Sequence, residues 1–127
     1  MSEKYYLNKD INDIVKNLNK YKKRMLGKKF FITGANGFLG KYFIKVITEI
    51  NKQTNKKIKI VANDVKFDNC EIFHDKNVKL IKKDINKINN FDNKCDFILH
   101  AAGIPSPKNY YQKPIETIFT SITSTKN

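Results

Sequence analysis

The segment Thr33-Gly34-Ala35-Asn36-Gly37-Phe38-Leu39-Gly40 constrains the chain more than any other, because it stands between an apolar run and a helical period. Upstream, Phe30-Phe31-Ile32-Thr33 reads as a short buried strand. Downstream, Leu39, Phe43, Val46, Ile47 and Ile50 recur at helix spacing and predict a helix over about residues 37 to 51, with those side chains on its inner face. Glycines at intervals of three across such a junction suit a backbone that wraps a phosphate. Gly34 permits the sharp turn, Gly37 lets the backbone come close to a diphosphate, and Gly40 lets the helix pack on the strand. The start of the helix adds amides without partners and the positive end of a dipole.

Two other readings compete for the same residues. A P-loop would take Gly40-Lys41 as its Gly-Lys pair, but Tyr42 stands where a magnesium-binding hydroxyl is required and Ala35 where the first glycine belongs. A turn with no ligand is the other. Asp64 weighs on the choice: it lies 24 positions after Gly40 (64 minus 40), at the end of the next apolar run, where a carboxylate can accept hydrogen bonds from ribose hydroxyls. Such a carboxylate repels a 2′-phosphate and favours NAD over NADP, although Lys66 two positions on softens the preference. Asp64 can also be read as an ordinary residue of a strand-end turn.

The rest of the chain repeats the alternation. Ile58-Lys59-Ile60-Val61-Ala62 reads as a second strand ending near Asn63-Asp64, residues 78 to 81 as a weaker third that ends at Asp84, and Phe97-Ile98-Leu99-His100-Ala101-Ala102 as a fourth. Pro105 and Pro107 mark a loop, and from Pro114 onward Ile115, Ile118, Phe119 and Ile122 give a last helical face. At the front, Asp10 can cap a helix to about Leu18 bearing Ile11, Ile14, Val15 and Leu18, with Asp13 in its first turn. A basic connector with Lys22, Lys23, Arg24, Lys28 and Lys29 follows, interrupted by Gly27, and reads as solvated. Near-continuous apolar strands alternating with helices imply a parallel sheet covered on both sides. The expected organisation is a helical extension over residues 1–27 and one α/β domain over residues 28–127.

Composition removes several function classes. Cys70 and Cys95, 25 positions apart (95 minus 70), fit neither a metal spacing nor a redox pair, and His74 and His100 have no ligand neighbour, so no metal is expected. Neither the start Met1-Ser2-Glu3-Lys4-Tyr5-Tyr6 nor any later stretch has the apolar length of a signal peptide or membrane span, which points to a cytoplasmic chain with no membrane partner. The net charge of +13 raises nucleic-acid binding. Its distribution argues against a specific site, since Arg24 is the only arginine and the lysines are spread along the chain.

Residues 33 to 40 resemble the TGxxGxxG signature of the short-chain dehydrogenase/reductase superfamily. Asp84-Ile85 is similar to the pair that contacts adenine in that family. His100-Ala101-Ala102-Gly103 is similar to the His-x-Ala-Ala segment of the extended subfamily, which borders the nicotinamide ribose. Pro114-Ile115-Glu116-Thr117, Thr120-Ser121-Ile122 and Ser124-Thr125-Lys126-Asn127 resemble the helix that carries Asn-Val-x-Gly-Thr-x-Asn, with Ser121 in place of its Asn and Ser124 in place of its Gly. Ile104-Pro105-Ser106-Pro107 and Tyr110-Tyr111 look most like UDP-glucuronate decarboxylases and their dehydratase relatives.

The resemblance covers roughly residues 28 to 127 and implies a doubly wound Rossmann sheet, order 3-2-1-4, with NAD across the carboxyl ends of its strands. The cofactor-binding residues it implies are Gly34, Asn36, Gly37, Phe38, Leu39, Gly40, Asp64, Asp84, Ile85, His100, Ala101, Ala102 and Gly103. It implies transient oxidation of a nucleotide sugar at C4, followed by epimerisation, dehydration or decarboxylation. The Ser/Thr and Tyr-x-x-x-Lys that handle the proton in that family belong beyond residue 127, so no catalytic residue is assigned and the 127-residue chain by itself is expected to be inactive. Tyr5 and Lys9 have the spacing but precede the first strand. A tyrosine whose reference pKa is about 10 is a poor base without a neighbouring cation. With the fifth strand missing, the fourth becomes an apolar edge, and a homo-oligomer is expected. A non-catalytic NAD sensor and a basic nucleic-acid-binding domain remain the alternatives.

Overall fold

The computed structural model describes residues 3–89, 94–104 and 106–126, with the backbone alone for 3–7 and 109. Met1 and Ser2, Pro105 of the expected loop and Asn127 of the last motif lie outside the described residues. In chain order the elements are α1 (Glu3–Asn17), α2 (Lys22–Met25), β1 (Lys29–Thr33), α3 (Phe38–Lys52), β2 (Lys59–Asp64), β3 (Val78–Lys82), β4 (Phe97–His100), α4 (Pro107–Gln112) and α5 (Pro114–Lys126). Single 3-10 turns at Glu71–His74 and Ile85–Lys87 flank β3.

The strands form one parallel sheet in the order β3-β2-β1-β4, as the sequence implied. Placing β1 in the middle makes it the most buried strand, with Phe30, Phe31, Ile32 and Thr33 all closed to solvent. Its register sets Ile32 between Ala62 of β2 and Leu99 of β4. Alternation along the strands sends Phe30, Ile32, Ile60 and Ala62 to one face, where they meet Ile44, Val46, Ile47 and Ile50 of α3 and Ile11 of α1. Phe97 enters the same face and stacks on Phe30 at 4.8 Å. His100, one residue beyond Leu99, therefore points to the opposite face, where α5 meets it.

Several expected boundaries move. The first helix begins at Glu3, because Glu3, Lys4, Leu7 and Lys9 are helix formers with no Gly or Pro among them; Asp10 is thus interior, and its carboxylate accepts from the Tyr42 hydroxyl at 3.3 Å. The basic connector contains the single turn α2, which has no fully buried residue and packs Met25 against the edge of the core. On α3 the inner stripe runs through Gly40, Ile44, Ile47 and Asn51, while Leu39 and Phe43 are exposed: both glycine and asparagine sit at positions an apolar count passes over. The fourth strand stops at His100: the Ala101 amide still donates to Thr33 O, but the Ala102 amide turns to the Thr33 hydroxyl and the chain leaves the sheet. Pro107 opens α4 instead of continuing a loop, a first-turn position where its missing N–H costs nothing.

Two asparagines bind the elements together. Asn51, buried near the end of α3, receives the Ile58 amide and donates to the Ile58 carbonyl, both at 2.8 Å, and so fixes where β2 starts. Asn63, buried at the end of β2, donates to the carbonyls of Ile81 and Lys83 and holds β3 alongside. At the other end of the sheet Asp96 receives the Lys29 amide at 2.9 Å and pairs with Lys28, which anchors β4 to β1.

Candidate functional site

A cleft of about 520 Å³ opens at the carboxyl ends of the strands, on the line where β1 has β2 on one side and β4 on the other. This is the point at which a doubly wound sheet reverses its winding and leaves a crevice. Its floor is the turn between β1 and α3. Gly34 has φ +62°, and a Cβ there would lie 2.4 Å from the Ala101 carbonyl oxygen. A Cβ on Gly40 would lie 2.4 Å from the Gly34 carbonyl oxygen. Both glycines are therefore demanded by the protein's own packing.

Gly37 differs. It has ordinary extended φ and ψ of −75° and 172°, it is exposed, and its nearest Cβ contact would be the Gly34 oxygen at 3.1 Å. A Cβ here would press on that oxygen, though less severely than at Gly34 or Gly40, and the rest of a side chain would enter the open cleft that Gly37 lines. Gly37 is also the N-cap of α3, with no side-chain cap and no acidic residue in the first turn. The first helical bond runs from the Lys41 amide to Gly37 O, so the amides of Phe38, Leu39 and Gly40 have no acceptor within the helix. Their partial positive charge faces a cleft that they line.

Asp64 forms one side wall. Its Oδ2 receives the Asn36 amide at 2.9 Å and its Oδ1 the Val65 amide at 2.7 Å, so two backbone groups hold the carboxylate in place. An ionised carboxylate offers about four acceptor positions, and two more donors can be accommodated. Asn36 in turn receives the Asp68 amide through Oδ1, and Asp68 pairs with Lys41, which ties the loop after β2 to the start of α3. On the next wall Asp84 caps the turn Ile85–Lys87 by accepting the Asn86 amide at 2.9 Å. Ala101, Ala102, Gly103 and Ile104 close the opposite side, with Thr120 of α5 behind them.

The structure thus brings Gly34, Gly37, Phe38, Leu39, Gly40, Asp64, Asp84, Ile85, Ala101, Ala102 and Gly103 to one cleft. Asn36 and His100 are not in its lining: the Asn36 amide is spent on Asp64, and the His100 ring lies between Thr33 and Ser124. Asn63, Val65, Lys83, Asn86, Ile104 and Thr120 line the cleft without having been singled out for it. Five of these flank residues that were, so an allowance of one position covers them; Thr120 had no signal beyond its place in the last motif. Among the described residues no group of three or more His, Cys, Asp and Glu side chains is placed to hold a metal. No helix among them is long and apolar enough to cross a membrane.

A parallel sheet of this order, with a glycine turn and an uncapped helix start at its reversal point, defines a Rossmann-type α/β domain. The chain belongs to the NAD dependent epimerase/dehydratase family, whose sequence model matches residues 30–127. Membership implies a nicotinamide cofactor. Among solved structures the epimerase Mth375 from the thermophilic methanogen Methanothermobacter thermautotrophicus shares the fold, with a TM-score of 0.66 and 17% identity over 83% of this chain. The chain spans 31% of that protein's length. No curated protein sequence is significantly similar to it.

Proposed function

We propose that residues 28–127 are the NAD-binding part of an enzyme that acts on a nucleotide sugar by transient oxidation at C4. The observation that carries the reading is the start of α3: three amides without helical acceptors face an open cleft beside Gly37, an exposed glycine that lines it. A diphosphate satisfies all of them at once. The Asp64 carboxylate, held by two amides on the side wall, supports ribose hydroxyls as its further donors and disfavours a 2′-phosphate, so NAD is preferred to NADP. Asp84 with Ile85 is assigned to the adenine end, and Ala101, Ala102 and Gly103 to the nicotinamide ribose. When bound, the nicotinamide accepts a hydride and returns it.

Within the family, Ile104-Pro105-Ser106-Pro107 and Tyr110-Tyr111 favour a decarboxylase or dehydratase acting on a UDP-sugar. Proton removal is assigned to a Tyr-x-x-x-Lys pair that these residues do not contain after β1. Tyr42, the tyrosine nearest the glycine turn in sequence, is no substitute: burial and the neighbouring Asp10 carboxylate both push its hydroxyl above the ordinary value, the opposite of activation. On this reading the 127 residues bind cofactor, and turnover requires a protein that carries the pair.

Calorimetric titration of NAD and NADP into the chain and into Gly37→Val tests the proposal. Saturable binding of NAD, weaker binding of NADP and loss of both in the variant are expected. Unchanged affinity in Gly37→Val would place the cofactor elsewhere.

A further inference from the structure

We infer that His100 is a positioning residue: held as the neutral tautomer with its proton on Nε2, it fixes residues 101 to 103 between the glycine turn and α5. The inference rests on reading the cleft as the cofactor site. Its physical basis is one continuous chain of hydrogen bonds. The Ala102 amide donates to Thr33 Oγ1 at 3.2 Å. Thr33 Oγ1 lies 2.7 Å from His100 Nδ1, and His100 Nε2 lies 3.1 Å from Ser124 Oγ. Ser124 Oγ donates to the carbonyl of Thr120.

The two ends of this chain set the direction of everything between them. An amide can only donate and a carbonyl can only accept. Ser124 has one hydroxyl proton, and it goes to Thr120, so the Ser124 oxygen must accept from the ring and the ring proton sits on Nε2. The neutral ring then presents its lone pair at Nδ1, which takes the Thr33 proton while Thr33 Oγ1 receives the Ala102 amide. Every proton has an acceptor. The other tautomer aims two donors at Thr33 Oγ1 and leaves the Thr33 proton with no acceptor in the chain.

Both ends of the chain are walls of the cleft. Ala102 and Thr120 line it, and Thr33 immediately precedes Gly34, whose Cα packs against the Ala101 carbonyl. The ring therefore sets the gap between the turn that meets the diphosphate and the segment assigned to the nicotinamide ribose. Ser124 is also where the last motif ordinarily has glycine, a residue with no side chain to hold the ring. The hydroxyl, buried on α5, is thus a feature of this chain and not of the pattern it otherwise follows.

The test uses the 127-residue chain with ¹⁵N-labelled histidine, and His74→Gln to assign the second ring. Without cofactor, long-range ¹H–¹⁵N spectra are expected to show His100 with Nε2 protonated and Nδ1 bare, and Ser124→Ala is expected to lose that single form to averaging. In calorimetry Ser124→Ala is expected to bind NAD about three- to tenfold more weakly, the scale of one neutral hydrogen bond, and Ser124→Thr, which keeps the hydroxyl, to recover most of it. A protonated Nδ1 or an averaged ring in the parent chain overturns the hydrogen-bond direction. Equal NAD affinity in parent and Ser124→Ala overturns the positioning. Failure of the parent chain to bind NAD at all counts against the proposed function instead, and the tautomer, read without cofactor, still decides the inference.

Discussion

At the scale of single residues the three glycines of the turn are not equivalent, although their spacing makes them look so. Gly34 and Gly40 are required by contacts of 2.4 Å that a Cβ would make with backbone, and Gly34 by its positive φ as well. Gly34→Ala and Gly40→Ala are therefore expected to lower the unfolding free energy by more than about 1 kcal/mol, measured by chemical denaturation, whether or not cofactor is present. Gly37→Val crowds the Gly34 oxygen at 3.1 Å and gives up a favoured N-cap residue, so it should cost up to about 1 kcal/mol, and it should abolish binding in protein that is still folded. That contrast separates a residue kept for the fold from one kept for a ligand. Asp96 gives a pH prediction. The Lys29 amide, and then the Lys28 ammonium, hold its carboxyl below the ordinary aspartate value. A carboxyl depressed on folding stabilises fully above its unfolded value and loses that contribution as pH falls through the folded one. The difference in melting temperature between the parent and Asp96→Asn should be present near neutrality and shrink as pH drops below about 4. A gap that stays constant into acid would show that Asp96 acts through something other than its charge.

Elements show what the sequence could and could not reveal. The strands were legible because a central parallel strand must be apolar on both faces, and Phe30-Phe31-Ile32 and Ile60-Val61-Ala62 are. The order β3-β2-β1-β4 was implied by the family resemblance, and right-handed crossovers left few others open. Part of the cleft was legible in the residues, since the glycine turn and Asp64 follow from the strand, turn and helix pattern, while Asp84, Ile85 and residues 101 to 103 came from the family resemblance. What stayed hidden depends on side chains meeting across the fold. Nothing in the local sequence of Asn51 or Asn63 announces that they bracket Ile58 and β3, and nothing near Ser124 points to His100. Asn51 makes the point testable. Asn51→Ala strands the amide and carbonyl of a wholly buried Ile58, and should cost about 1–3 kcal/mol. Ile47→Ala on the same helix should cost about 2–5 kcal/mol through the cavity it leaves. If Asn51→Ala proves neutral in denaturant unfolding, the junction of α3 and β2 is held by packing alone.

The whole molecule is covered unevenly, and this has a consequence in solution. One face of the sheet is closed by α1 and α3, with Ile11 of the N-terminal helix almost as buried as Ile32 of the central strand, so that helix is packed into the same core as the glycine turn. The opposite side is barer. Ile115, Ile118, Phe119 and Ile122 follow each other at the spacing of one helix face, yet each is more than half exposed on α5. Ile98 is exposed as well, on the strand that forms one edge of the described sheet and on the sheet face that His100 shares with α5. Apolar surface of this extent on a monomer favours association, and an open strand edge adds unpaired N–H and C=O groups. A net charge of +13 opposes it, because like-charged copies repel; the repulsion is screened beyond about 8 Å at physiological salt, whereas apolar contact is not. Sedimentation velocity is therefore expected to show self-association that grows as salt is raised from about 0.01 M to 0.5 M, the direction opposite to that of an assembly held by ion pairs. Replacing Ile118 and Phe119 together by lysine should return the chain to a monomer at all salt concentrations without altering NAD affinity, since neither residue lines the cleft. A parent chain that sediments as a single monomer across that range would mean that charge repulsion outweighs the exposed apolar face of α5.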